Sequence, residues 1–441
     1  MRDPLDFVHE LTFGNLPADV VRDAVRCLKD LLGVAAAGTA TPLSRIIRDH
    51  AVENFAAGPS RRAALLFDGR TVSPPGAALA NAMTIDSVDA HDGHPLCKGH
   101  VGVWALPAIL AMPDAPGLRG REFLVRLAIG YELGSRLGQA LHATAADYHT
   151  SGAWGAVGAA ALGARALGLD RNATRHALGI AEYHGPRSQM MRVIDHPTML
   201  KDGSGWGAMC GVSAALLAAD GFTGAPALLI EDEAVAPLWS DLGERWMIRE
   251  QYFKPDPVCR WAQPAVQAVR DLKAAHEFAA ADIGHIEVTT FHEAVRLAAR
   301  EPADTEQAQY SLPFPVAAAA VHGGIGVSEI TGAGLSDPEV LRLSRGMILS
   351  EADAFNAAFP ASRRADVTLV MQDGRRLSSG PTEAHGSADD RMTDAEVSAK
   401  FRAYAGGVIG PVAATELEAV IDAIAGAESL GELLARISPA P

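Results

Sequence analysis

The sequence predicts a mainly α protein: one large, discontinuous all-α domain (residues 1–253 and 395–441) carrying a smaller α+β lid domain (254–394). Three observations predict it. Apolar residues recur at helical spacing through the first 253 positions. Strand chemistry, alternating apolar and polar residues rich in Val and Thr, first appears beyond Lys254. From Thr393 the helical period returns, and the simplest chain path carries those last helices back to the first domain.

The stretch LPADVVRDAVRCLKDLLGVAAAG is the first long helix. Pro17 stands where a first-turn proline is tolerated, Gly38 closes the run, and Val21, Ala24, Val25, Leu28, Leu31 and Leu32 share one face. Similar stripes occupy 122–141, 155–169 and 211–220, separated by Ser, Thr, Asp and Gly. No repeat of fixed period marks a solenoid. In the lid, HIEVTTF (285–291) and ADVTLVMQDGRRLSSG (365–380) read as strands, with Asp373-Gly374 as a hairpin turn. Residues 293–300 and 312–321 read as helices between them, and AEVSAKFRAYA and TELEAVIDAIAGAESLGELLARI as the terminal helices. A cleft between the two domains is the expected ligand site.

At 441 residues, two structural units are the default. The composition, 48% hydrophobic and 21% charged with many small residues, suits closely packed helices. A net charge of −15 excludes a nucleic-acid surface and an acidic membrane surface as partners. The cysteines Cys27, Cys97, Cys210 and Cys259 are scattered without a CxxC pair, which argues against a disulfide framework or structural zinc and for a reducing compartment. The N-terminus lacks the apolar core of a signal peptide. The longest near-apolar stretch, 153–164, falls short of the roughly 20 residues that span a bilayer. A cytoplasmic protein is expected.

Ionisable groups crowd into SVDAHDGHPLCKGHVG (87–102), which holds Asp89, His91, Asp92, His94, Cys97, Lys98 and His100. Three readings compete. Asp89, His91, His94 and His100 could supply nitrogen and oxygen ligands to a metal, although no recognised spacing such as HExxH is present. The segment could be a solvated loop with incidental histidines. The third reading is an acid/base site, because histidine titrates near neutrality and a neighbouring carboxylate can fix its tautomer. The density of histidines favours this last reading. A second cluster puts His149 and Thr150 before a small-residue helix, whose N-terminus favours an anion. A third sets Lys201 on a Gly/Ser loop before another helix, as a carboxylate clamp.

With these blocks in view, the chain resembles the MmgE/PrpD family, which includes 2-methylcitrate dehydratase, cis-aconitate decarboxylase and iminodisuccinate epimerase. The resemblance runs nearly end to end. It is carried by the opening helix, by ALANAMTIDSVDAHDGH followed by KGHVG, and by HTSGAWGAVGAAALGARALGLD. KPDPVCRWAQPAVQAV, AQYSLPFPVAAAAVHGG, LSDPEVLRLSRGM and AEVSAKFRAYAG follow in order. It implies an all-α domain with an α+β lid, a homodimer, and no metal or organic cofactor. By position, Asp89 matches the first acid of the family's Asp-rich loop, His100 the histidine after it, His149 the histidine before the small-residue helix, and Lys201 the clamp lysine. Gly93 replaces a Thr of decarboxylase-like members, Gln263 a His, and Phe314 a Tyr, while His91 and His94 are additions.

The chemistry this implies is proton abstraction beside a carboxylate in a small di- or tricarboxylate. His100 is the expected acid/base, with Asp89 orienting and His149 assisting. Lys201, Lys98, His94, His91, Arg260 and Gln263 are the expected substrate-binding residues. A hydro-lyase of 2-methylcitrate dehydratase type comes first. An epimerase, a decarboxylase and a non-catalytic carboxylate-binding homologue are the alternatives.

Overall fold

Small residues set how the helices of the first region meet. The helices Ser151–Ala166 and Ser204–Ala219 lie so close that a Cβ on Gly207 would stand 2.4 Å from the Gly152 carbonyl oxygen. Only glycine allows that approach. The computed structural model describes residues 3–59 and 61–438 and is mainly helical. Helix Ala18–Gly38 buries Val20, Ala24, Cys27, Leu28, Leu31 and Leu32 on its inner face. Among the described residues, no helix is long and apolar enough to cross a membrane.

Where element bounds differ from the periodicity, polar caps and tertiary contacts explain it. The stripe at 122–141 extends to Gly120–Thr144. The stripes at 155–169 and 211–220 belong to Ser151–Ala166 and Ser204–Ala219, which begin at Ser residues ahead of the apolar run. The helix expected over 293–300 is one turn, His292–Val295. Beyond it the Arg300 guanidinium donates to the carbonyls of Ser344 (3.0 Å) and Met347 (2.6 Å), contacts no local period encodes. The terminal helix divides into Pro411–Asp422 and Gly431–Ile437. A two-residue ladder, Ala63–Ala64 with Thr71–Val72, puts a little strand into the first region as well.

The larger sheet is centred on Ile283–Thr290. This strand pairs parallel with Ile348–Glu351 and antiparallel with Arg364–Met371, which pairs in turn with Arg376–Ser378 across the Asp373-Gly374 turn. Two large apolar clusters result, beside a small one of Leu43, Leu79 and Met83. One joins residues from Leu5 to Phe253 with Met392 to Ile437, and the other joins Val258 to Met371 with Met190, Val193 and Ile194. Helix Asp394–Ile409 lies along Ala18–Gly38, where Lys400 Nζ donates to Asp30 Oδ1 (2.6 Å) and to the Ala90 carbonyl (2.7 Å). The second of these bonds anchors the Asp-rich loop to the C-terminal helix.

Candidate active site

The Asp-rich loop is not solvated. It connects helix Pro74–Asp86 to helix Gly102–Ala111, and Asp86, Asp89, His91, Asp92 and His94 on or beside it are all 2% exposed or less. Its backbone is held in an unusual form. Among the described non-glycine residues only Phe67, Asp89 (φ 48°), Lys98 (φ 53°) and Lys201 (φ 50°) adopt positive φ. Three of these four are residues the sequence nominates for function, and strain of this kind persists where surrounding contacts over-determine it.

Asp89 Oδ1 accepts from Lys254 Nζ at 2.8 Å, and the same ammonium reaches the Asp89 carbonyl at 2.9 Å. Burial works to raise the Asp89 carboxyl, but the Lys254 and Lys201 ammonium groups hold it below the usual range. Burial is the largest influence on Lys254 and opposes its charge, but Asp89 and the other groups around it together raise that ammonium. His100 Nδ1 lies 2.5 Å from the Asp92 carbonyl oxygen. A carbonyl only accepts, so Nδ1 carries the proton and Nε2 is left free to act as a base. Burial, followed by the field of Lys254, pushes His100 down to about 3. The imidazole is therefore neutral across the physiological range. The backbone N–H of His100 donates to Ser151 Oγ (2.9 Å), and the Ser151 hydroxyl donates to Asp202, which ties the loop to the start of helix Ser151–Ala166. Behind the site, Tyr131 donates to the Asp92 carboxyl, which burial raises to about 7.

These groups face a cavity of about 30 Å³, walled by Asp89, Lys98, His100, Tyr148, Met190, Asp202, Tyr252, Lys254, Arg260, Trp261, Tyr310 and Arg363. That is room for about one water, so a polycarboxylate requires the walls to part. A larger groove of about 630 Å³ runs between Ala18–Gly38 and Asp394–Ile409. It holds no histidine, and its deeper cations Arg26 and Lys29 are ion-paired with Asp394 and Asp422. Asp89, His91 and His100 each place a ligand-type atom within 4.8 Å of the others. A divalent ion there would compete with the Lys254 ammonium for Asp89 under the further positive field of Lys201, so the electrostatics suit an anion better than a cation.

The nominated residues separate into two groups. Asp89, His100, Lys98 and Arg260 line the cavity. Lys201 stands one layer behind, donating to Gln309 Oε1 with its Nζ 4.5 Å from the centre of the Tyr310 ring that does line it. His91 packs edge-on against His100 at 4.4 Å between ring centres, with Asp86 Oδ1 at 3.9 Å, and does not reach the cavity. Five of the nominated residues thus lie off the cavity wall, Lys201 and His91 together with His94, His149 and Gln263. His94 accepts at Nδ1 from the backbone of Leu96 (3.2 Å) and Cys97 (3.4 Å), so it caps the turn and lies outside the cavity wall. His149 lies outside the cavity wall, with Nδ1 bonded to the Asp147 carbonyl (2.8 Å). Gln263 is buried behind the wall, donating to the carbonyls of Asp256 and Val258 and accepting from Arg260. Arg260 reaches the cavity with a guanidinium already committed to Gln263, Ser387 and the carbonyls of Ala384 and His385, which lowers its value as a substrate clamp.

Sequence reasoning missed Lys254, Asp202, Arg363 and the aromatic walls Tyr148, Tyr252, Trp261 and Tyr310. Lys254 heads the quoted block KPDPVCRWAQ and Asp202 follows Lys201, so both adjoined a recognised signal. Arg363 had none, because it is one of many arginines until the fold buries it.

The comparisons agree with this architecture. The MmgE/PrpD N-terminal domain matches residues 5–240 and the MmgE/PrpD C-terminal domain matches residues 257–425. The chain belongs to the MmgE/PrpD family. The cis-aconitate decarboxylase of Mus musculus is 24% identical over 428 residues, 90% of this chain and 85% of that protein. The cis-aconitate decarboxylase of Aspergillus terreus is 21% identical over 461 aligned positions, 93% and 90% of the two chains. The cis-aconitate decarboxylase-like protein oryM of Aspergillus oryzae is 27% identical over 243 residues, half of this chain and 46% of that protein.

Proposed function

We propose that the protein is a lyase acting on a small di- or tricarboxylate by proton abstraction beside a carboxylate. The observation that carries this reading is a neutral His100 imidazole, its Nδ1 proton held by Asp92, set against the buried Asp89–Lys254 pair in a closed cavity. In the reaction, His100 Nε2 takes the proton from the carbon next to a carboxylate. The electron pair left behind delocalises into that carboxylate, where Lys254 and Lys98 meet the developing charge. Elimination then expels hydroxide from the neighbouring carbon. The hydroxyl of Tyr252 or Tyr310, which burial keeps protonated, supplies the proton that lets it leave as water, and the proton taken by His100 then returns to that tyrosinate. A base that is unprotonated at neutral pH fits this order of events, so hydration–dehydration is the first reading.

Decarboxylation is the second, favoured by the names of the relatives. There carbon dioxide leaves and the carbanion must be protonated, which asks for a donor where His100 offers an acceptor. We further propose that residues 254–394 act as a lid, whose movement opens the cavity, and that the protein is a homodimer. The experiment is incubation with a panel of di- and tricarboxylates in deuterated water, following C–H label by NMR and carbon dioxide release. Label in the recovered substrate or loss of water supports the first reading, and carbon dioxide release with label in the product alone supports the second. Neither from any member of the panel overturns the lyase.

A further inference from the structure

Arg363 is a buried cation that the chemistry above leaves unused. It directly precedes the strand Arg364–Met371, is 8% exposed, and takes part in no ion pair among the described residues. Its Nε is buried without a partner, and Nη2 reaches only the Pro95 carbonyl, at 3.3 Å. The other deeply buried arginines are satisfied. Arg126 and Arg136 bind carboxylates, and Arg260 is committed to carbonyls, Ser387 and Gln263. A guanidinium has five N–H donors, and burying one without a counter-charge is unfavourable until an anion arrives. The Arg363 side chain is also aimed. It lies over the rings of Tyr252 (5.6 Å) and Phe359 (5.9 Å) and forms part of the wall shared by the His100 cavity and an outer pocket of about 100 Å³.

We propose that Arg363 receives the substrate carboxylate farthest from the reacting carbon, so that the site selects di- and tricarboxylates over monocarboxylates. The inference rests on the carboxylate-lyase reading and adds the residue that counts carboxylates. Lys254 is already engaged by Asp89 and serves the carboxylate at the reacting end. A ligand with one carboxylate leaves Arg363 unpaired, whereas a second carboxylate meets its planar fork in a bidentate pair. Its place in the shared wall puts it at the boundary between the His100 cavity and the outer pocket.

The test is calorimetric titration of tricarballylate, glutarate and pentanoate into the wild-type protein, Arg363→Met and Arg363→Gln. Glutarate and pentanoate share a chain length and differ by one carboxylate. The wild type should prefer glutarate and tricarballylate over pentanoate by on the order of 10²-fold, the usual scale for a desolvated charge pair. Arg363→Met should erase that preference while leaving pentanoate affinity unchanged. Arg363→Gln keeps size and hydrogen bonding without charge, and decides the matter should the Met variant fail to fold. Variants that bind tricarballylate as tightly as the wild type overturn the role of Arg363 and leave the lyase standing. A wild-type protein that binds none of the three overturns both.

Discussion

Replacing Lys254 by Met tests the electrostatic heart of the site, because one ammonium holds both Asp89 and His100 in their working states. The pair is 165 residues apart in sequence and buried on both sides. Removing one member of a buried, hydrogen-bonded pair leaves the other charge uncompensated, at roughly 3–5 kcal/mol of stability. His100 is pushed from 6.5 to about 3. At ~1.4 kcal/mol per unit, that bias toward the neutral ring is about 5 kcal/mol. Burial is its largest cause and Lys254 the next. Loss of Lys254 should therefore raise His100 while leaving it below its ordinary value. Asp89, freed of its partner, should rise as well. Chemical denaturation reads the stability, and NMR titration of the histidine ring protons reads His100 directly. A variant that loses under ~1 kcal/mol and leaves the His100 titration in place would refute the reasoning, since an intact buried pair costs several times that to break.

His100→Asn should lower turnover by ~10²–10⁴-fold with substrate binding retained, measured by steady-state kinetics beside calorimetry. Its neighbour His149, bonded outside the cavity, should tolerate Gln with little change in either, and a collapse of exchange in that variant would move the base away from His100. Asp92→Asn probes the second layer through pH. The Asp92 carboxyl is raised by burial to about 7, so its contribution to stability is present below the unfolded value of 3.8 and is lost as pH rises through 7. The Asn variant should therefore gain on the wild type as pH rises from about 4 to 7, by up to ~4 kcal/mol in denaturation experiments, and a pH-independent difference would contradict a protonated Asp92. Exhaustive chelation should leave activity unchanged. Loss restored by a single divalent metal would make Asp89, His91 and His100 ligands.

The sequence by itself determined the helical face of Ala18–Gly38, the strands around Asp373-Gly374, the family, and the loop that carries Asp89 and His100. Each of these is written in a local period or in a short run of residues, and local backbone geometry follows from neighbours in the chain. It could not tell His100 from His94. Both sit in one loop, His94 buried and His100 half-buried, yet the His100 ring is bonded to the Asp92 carbonyl at the cavity and the His94 ring caps the turn at Leu96 and Cys97. Nor could it separate Arg260, spent on the carbonyls of Ala384 and His385, from Arg363, buried with donors to spare. Only the tertiary structure decided these, because a side chain's charge state and free valence depend on burial and on partners brought from far along the chain. Lys254 meets Asp89 across the junction of the helical core and the sheet-bearing segment, and no spacing within either one specifies that encounter.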